Sequence, residues 1–306
     1  RDSVASRGLG DVYKRQNAGF DLRKPSTIPF LKRGFRAIIF GDLINRVANA
    51  TRPYEVNKGE TDQLKEEWIR KLEKTAPTMN DRAYKASVKE IVEDFDNIPV
   101  KDIKIPKAGI VGEILVKFLP EANNNLQKVL EAEGAEVILP DLTDFFMYCM
   151  KNSELKAKLY GKSKMSATIS KIGINIVEQY RKPVRAALRQ SKRFDEPEYI
   201  DNIANYAKDV TSLGNQAGEG WLLAGEMVEL IHAGAPNIVC IQPFGCLPNH
   251  ITGKGVMKKI REEYQEANIV AIDYDPGASE VNQINRVKLM MSQARENLKT
   301  KEALVK

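Results

Sequence analysis

The sequence predicts an α/β protein: a Rossmann-like open, mainly parallel sheet with helices on both faces, plus a helical N-terminal region and a helical insert. Three observations carry this. Short runs rich in Val and Ile ("KAGIVGEILVKF", "AEVILPDL", "NIVCIQP", "NIVAIDYD") are apolar throughout, the pattern of strands buried on both faces. They alternate with segments of helical period such as "PEANNNLQKVLEAEG" and "GKGVMKKIREEYQEA". Ahead of the first run lie three amphipathic stretches with no strand between them.

Taken in order, residues 1–16 ("RDSVASRGLGDVYKRQ") lack any sustained apolar period and read as a non-native, adapter-derived segment. The chain is accordingly expected to be the C-terminal piece of a longer protein. Residues 17–98 form the helical region: "RGFRAIIFGDLINRVANATRPYE" from Arg33, "TDQLKEEWIRKLEKTAP" with Thr61 as its expected N-cap and Leu64, Trp68 and Leu72 on one face, and "DRAYKASVKEIVEDFDNI". Residues 99–306 form the α/β domain. It opens with the strand "KAGIVGEILVKF", a helix closed by Gly134 and the strand "AEVILPDL", a βαβ unit. About 142–209 is the helical insert, a candidate cap. Helix and strand then alternate to the end, with Trp221 expected to anchor the base of the helix "GEGWLLAGEMVELIHAG".

Bulk composition excludes several classes. With 42% hydrophobic and 29% charged residues, the chain has the make-up of a globular protein, and no apolar run is long enough to span a bilayer. The net charge of +6 is spread as alternating Lys and Glu, as in "DQLKEEWIRKLEK", with no basic cluster interleaved with aromatics. No nucleic-acid or membrane partner is expected; an anionic substrate suits the charge. Three widely spaced cysteines make no disulfide framework and point to a reducing, cytoplasmic setting.

Chemistry in such sheets sits at the carboxyl ends of the strands. There the turn "PFGCLPNH" places Cys246 between Gly245 and Pro248, a stiffened loop suited to a metal or iron–sulfur thiolate. His250 follows four residues later, a candidate substrate-binding residue, ligand, acid/base group or loop brace. Cys240, inside the strand, reads as a core thiol, and Cys149 as either a helix packing residue or a second metal ligand. "SLGNQAGEGW" offers Asn215, Gln216 and Glu219 to the cleft, and "ITGKGVMKK" offers Lys254 before a helix, as substrate-binding candidates. Asp273, Asp275 and Ser279 are cleft candidates or plain N-caps, and His232 a C-terminal charge partner of its helix.

Four blocks go further than spacing: "GDLINRVANATRPYEVNKGETD", "KAGIVGEILVKFLPEANNNLQKVLEAEGAEVILPDL", "SLGNQAGEGWLLAGEMVELI" and the stretch from "NIVCIQPFGCLPNHITGKGVMKK" to "NQINRVKLMM". Together they resemble the C-terminal region of the large activase-related proteins of the 2-hydroxyacyl-CoA dehydratase system, over about residues 20–297.

That resemblance implies an iron–sulfur-dependent lyase reaction. An ATPase activator, in the same chain or separate, delivers one electron. A ketyl radical anion forms on the thioester, and a 2-hydroxyacyl-CoA loses water. It implies a 4Fe–4S cluster on three cysteines, of which Cys246 matches one; the others are expected upstream of residue 17. The chain carries no ATPase phosphate motif and no Cys-Pro element, so the piece alone is expected to be inactive and without an ATP site. Two alternatives stay open: a low-potential reductase of another small substrate on the same scaffold, and a non-catalytic docking domain of the larger protein.

Overall fold

A computed structural model describes residues 27–275 and 277–305; the segment 1–16 lies outside them. Helices α1 (Thr27–Thr51), α2 (Glu60–Thr75) and α3 (Asp81–Asp96) come first. In α3, Asn80 caps the N-terminus by accepting from Ala83 N at 2.9 Å, and Tyr84, Val88, Ile91, Val92 and Phe95 form its buried stripe. In α2, the cap differs from the expected Thr61. Gly59, in left-handed backbone, stands at the N-cap, and the Glu55 carboxylate accepts Gly59 N at 2.7 Å and Thr61 N at 3.0 Å. A carboxylate upstream satisfies two of the free N–H groups, so the threonine is not needed there.

The sheet follows. Strand β1 is Lys107–Gly112, and the next elements are the short helices α4 (Ile114–Phe118) and α5 (Leu126–Ala132), then β2 (Glu136–Ile138). The single long strand expected over "KAGIVGEILVKF" is therefore a strand and a helix. The chain turns at Gly112 and Glu113, whose carboxylate accepts from Val116 N at 2.8 Å and starts α4. Helices α6 (Leu142–Tyr160), α7 (Lys164–Leu188) and α8 (Ile200–Val210) make the insert. Then come α9 (Trp221–His232), β3 (Asn237–Gln242), a π-helical segment Asn249–Lys254, α10 (Met257–Glu263), β4 (Asn268–Asp273) and α11 (Glu280–Val305).

Within the four-stranded sheet the pairings are parallel, in the order β2-β1-β3-β4, and a single antiparallel bridge, Glu55 with Val100, lies outside it among the described residues. Successive side chains alternate between two faces, and each face has its own core. Ala108, Ile110, Val239, Ile241 and Ile272 pack with Leu126 and Leu130 of α5 and Val287 and Met291 of α11. Val111, Ile238, Cys240, Ile269 and Ala271 pack with Met227, Val228 and Ile231 of α9 and Ile260 of α10. The sheet is thus covered by helices on both faces. After β1 the chain runs to β2 on one side; after β2 it crosses back past β1 to β3. The carboxyl ends of β1 and β3 therefore mark the point where the strand order reverses, where open sheets leave a crevice.

The insert does not stand apart as a cap. Val184, Ala187 and Leu188 of α7 are buried in one core with Phe40, Trp68, Tyr84 and Phe95 of the N-terminal helices. A buried ionic layer runs between α1, α6 and α7: Arg181 bonds Asp144 at 2.8 Å and Asp141 at 3.1 Å, Arg46 bonds Asp141 at 2.7 Å, and Asp42 accepts from Leu142 N and Thr143 N at 2.9 Å each. Among the described residues, no helix is long and apolar enough to cross a membrane.

Candidate functional site at the strand-order reversal

Gly112 lets the crevice form. Its φ is +148°, and a Cβ there would meet the Ile241 carbonyl oxygen at 1.9 Å, so β1 can approach the end of β3 this closely only with glycine. The next residues and the loop before α9 are tied together by Glu219, which is buried. Its Oε1 accepts from Ile114 N at 3.0 Å. Its Oε2 accepts from Asn249 Nδ2 at 3.4 Å, and the same Nδ2 donates to Cys246 Sγ at 3.0 Å. A carboxylate can only accept here, so Glu219 fixes which end of the Asn249 amide faces the sulfur. Asn249 is fully buried, and its Oδ1 has no hydrogen-bond partner among the described residues.

Cys246 is half-buried in the turn, whereas Cys240, six positions earlier, is fully buried in β3 and burial pushes its thiol up to about 12. His250 braces the turn: its N–H donates to the Cys246 carbonyl at 3.0 Å, and its Nε2 accepts from Gly245 N at 3.2 Å. That occupies the ring nitrogen nearest the turn.

Lys254 stands at the neighbouring β3/β4 end. Its Nζ bonds both oxygens of Asp273, at 2.9 and 3.1 Å, and Asp273 also accepts from Gln242 Nε2 at 2.6 Å. Burial works against the Asp273 carboxylate, but these bonds outweigh it and hold the group below its usual range. The Gln242 Oε1 is buried without a hydrogen-bond partner among the described residues. Asp275 accepts from Phe244 N at 2.9 Å and so ties down the Cys246 turn, while Ser279 Oγ accepts from Asn282 N as a helix cap. The glycines of "GKG" have a packing reason: a Cβ on Gly253 would meet Cys240 Sγ at 3.0 Å.

Asn215 and Gln216 lie in the neighbouring loop. Asn215 Nδ2 donates to Thr211 Oγ1 at 2.9 Å and Gln216 Nε2 to the Leu213 carbonyl at 3.0 Å. Both line a groove of ≈ 410 Å³ shared with Leu247 and Pro248 of the Cys246 turn. Cys149 is exposed on α6; partial burial and the nearby Glu219 carboxylate push its thiol up. The structure therefore brings Cys246, Glu219 and His250 together, sets Asn215 and Gln216 beside them, and places Lys254 one strand over. His232 packs edge-on between the rings of Tyr206 and Tyr264, at 4.8 and 5.5 Å.

Asn249 was not singled out by sequence reasoning, although it sits within "CLPNH" and three residues after a cysteine; only the π-helical turn carries its amide back to the sulfur. The buried pair Lys117–Glu226, 2.8 Å apart, was missed for a different reason: its members lie 109 residues apart.

The 4Fe–4S cluster that the resemblance implies would need three thiolates at one place. Cys246 can offer one. Among the described residues, no group of three or more His, Cys, Asp or Glu side chains is arranged to hold a metal ion, so these residues alone do not fit the cluster. In comparisons with family models, with curated proteins and with solved structures, none matches this chain.

Proposed function

We propose that this chain is the C-terminal part of a 2-hydroxyacyl-CoA dehydratase-like, iron–sulfur-dependent protein acting with an ATP-driven activator, and that its parallel sheet is a Rossmann-like dehydratase-type domain. The observation that supports the reading is the position of Cys246. The one cysteine in a resemblance-bearing turn stands at the carboxyl edge of a parallel sheet, beside the reversal of strand order, where α/β proteins bind ligands. In this reading Cys246 contributes a single thiolate, and the remaining ligands come from outside the described residues. The chain's own part is to hold that sulfur: Asn249 donates to it, Glu219 orients Asn249, and His250 and Asp275 fix the turn.

The test is anaerobic iron–sulfur reconstitution of the longer protein that contains this chain. A 4Fe–4S spectrum that weakens in Cys246→Ser supports the assignment; a spectrum unchanged by that substitution removes Cys246 from the ligand set.

A docking domain is the second reading, and one observation favours it. Phe244 and Leu247, on either side of Cys246, are 77% and 66% exposed, an apolar rim of the kind that other proteins cover. Absence of bound iron in the longer protein under strict anaerobiosis would select this reading.

A further inference from the structure

The groove beside the Cys246 turn has a composition of its own. Leu247 and Ile251 line it from the turn and the π-helical segment, and Tyr160 and Lys156 from the end of α6. The three large apolar side chains are 66%, 51% and 56% exposed for Leu247, Ile251 and Tyr160. Single exposed apolar residues need no explanation, but three around one concavity of ≈ 410 Å³ do. Its size falls within the roughly 300–1,000 Å³ typical of small-molecule sites.

Charge narrows the choice of occupant. Among the described residues, Lys156 is the one charged side chain lining the groove, and no carboxylate lines it. The other lysines of that helix segment, Lys151 and Lys158, are paired with Glu154 at 2.7 and 3.1 Å. Lys156 has no ion-pair partner among the described residues. An ammonium without an ion-pair partner among the described residues, on the wall of a mainly apolar groove, matches a ligand with an apolar body and one anionic end.

We infer that the groove between Lys156, Tyr160, Leu247 and Ile251 binds an amphipathic anion, an aliphatic or aromatic chain ending in a carboxylate. This goes beyond the iron–sulfur reading and does not depend on it, since no residue of the groove is a cluster ligand.

Calorimetric titration of the full chain with decanoate, and with decyltrimethylammonium as its cationic counterpart, tests the inference without iron. Decanoate binds the wild-type protein more tightly than the cation. Lys156→Glu weakens decanoate by about two- to five-fold, the upper part of what one exposed ion pair contributes, and reverses the preference between the two probes. Ile251→Asp weakens decanoate as well. Both substitutions are at exposed positions, so the fold is retained. Ile69→Asp, in the separate apolar groove between α1 and α2, serves as the control and leaves decanoate binding unchanged. Equal affinity for both probes, binding lost in Ile69→Asp and kept in the other two variants, or no decanoate binding at all would each overturn the assignment.

Discussion

The Asn249 amide donates from Nδ2 to Cys246 Sγ at 3.0 Å while Glu219 takes the other hydrogen of the same group at 3.4 Å. One buried side chain thus holds the sulfur of the turn, while Cys246 as a residue is only half-buried. Cys240 has no such access: it is fully buried and its thiol is pushed up to about 12 by that burial. Alkylation of the native chain with iodoacetamide, read cysteine by cysteine by mass spectrometry, should label Cys246 much faster than Cys240. Denaturant should bring the two rates together. Equal, slow labelling of both in the native state would show that the turn is closed packing.

Trp221 is fully buried at the first position of α9. Its ring meets Tyr148 edge-on at 4.9 Å, and its Nε1 donates to Asn152 Oδ1 at 2.8 Å. Trp221→Ala should cost roughly 3–5 kcal/mol in denaturant unfolding. Trp221→Phe keeps most of the apolar volume but leaves the buried Asn152 oxygen without its donor, so it should still cost roughly 1–3 kcal/mol. A Phe variant as stable as wild type would mean that the hydrogen bond contributes nothing.

Gly112 permits the close approach of β1 to β3 at the crevice. A Cβ at that position meets backbone, the Ile241 carbonyl oxygen at 1.9 Å, and backbone cannot swing aside as a side chain can. Gly112→Ala should therefore destabilise by roughly 3 kcal/mol and raise hydrogen exchange at the β1/β3 ends. Normal stability in this variant would be incompatible with the geometry of the crevice.

Much of this architecture was legible because it is local. The four strands, the helices between them and the burial of Cys240 follow from apolar runs and period, and Trp221 lies where its place at a helix start implied. The failures have a common cause. The strand expected over residues 107–118 stops at Gly112, where the chain turns into α4 against the backbone of Ile241, a neighbour far away in sequence. The insert read as a cap, yet Leu188 and Val184 complete the core of the N-terminal helices. At the site, the turn bearing Cys246 was visible; the Glu219–Asn249–Cys246 chain was not, because its first link spans 30 residues. Pairings between distant charged groups, such as Arg46 with Asp141, leave no mark in a single sequence.

That ionic layer carries a pH dependence. Burial, and then the neighbouring Asp141 carboxylate, push Asp42 up to about 7, against the bonds from Thr143 and Leu142 that favour its charged form. The folded state thus keeps a proton that the unfolded chain releases near 3.8, so the contribution of Asp42 to stability is fully present below that value and is lost as pH rises through about 7. Burial pushes Asp144 and Glu226 up as well, so they contribute in the same direction. Asp42→Asn should reduce the decline in melting temperature between about pH 4 and about pH 8 without removing it. A slope unchanged by the substitution would exclude Asp42 as a source.

Glu154 should show the opposite dependence, on the other side of the insert. Its carboxylate takes Lys151 at 2.7 Å, Lys158 at 3.1 Å and Lys171 at 3.6 Å, and Lys151 also reaches Asp201 at 2.6 Å, so the group links α6 to α7 and α8. Burial works against its ionised form, but the bonds from Lys151 and Lys158 outweigh that and bring it down to about 2. A lowered folded-state value means that the contribution is fully present above about 4.5 and is lost as pH falls toward about 2. Glu154→Gln should lower the melting temperature at neutral pH and flatten the acid limb of the curve in that window, while leaving the Asp42-dependent decline at higher pH intact. Wild-type and variant curves running parallel from neutral pH down to about pH 2 would show that the three lysines do not act through the charge of this carboxylate.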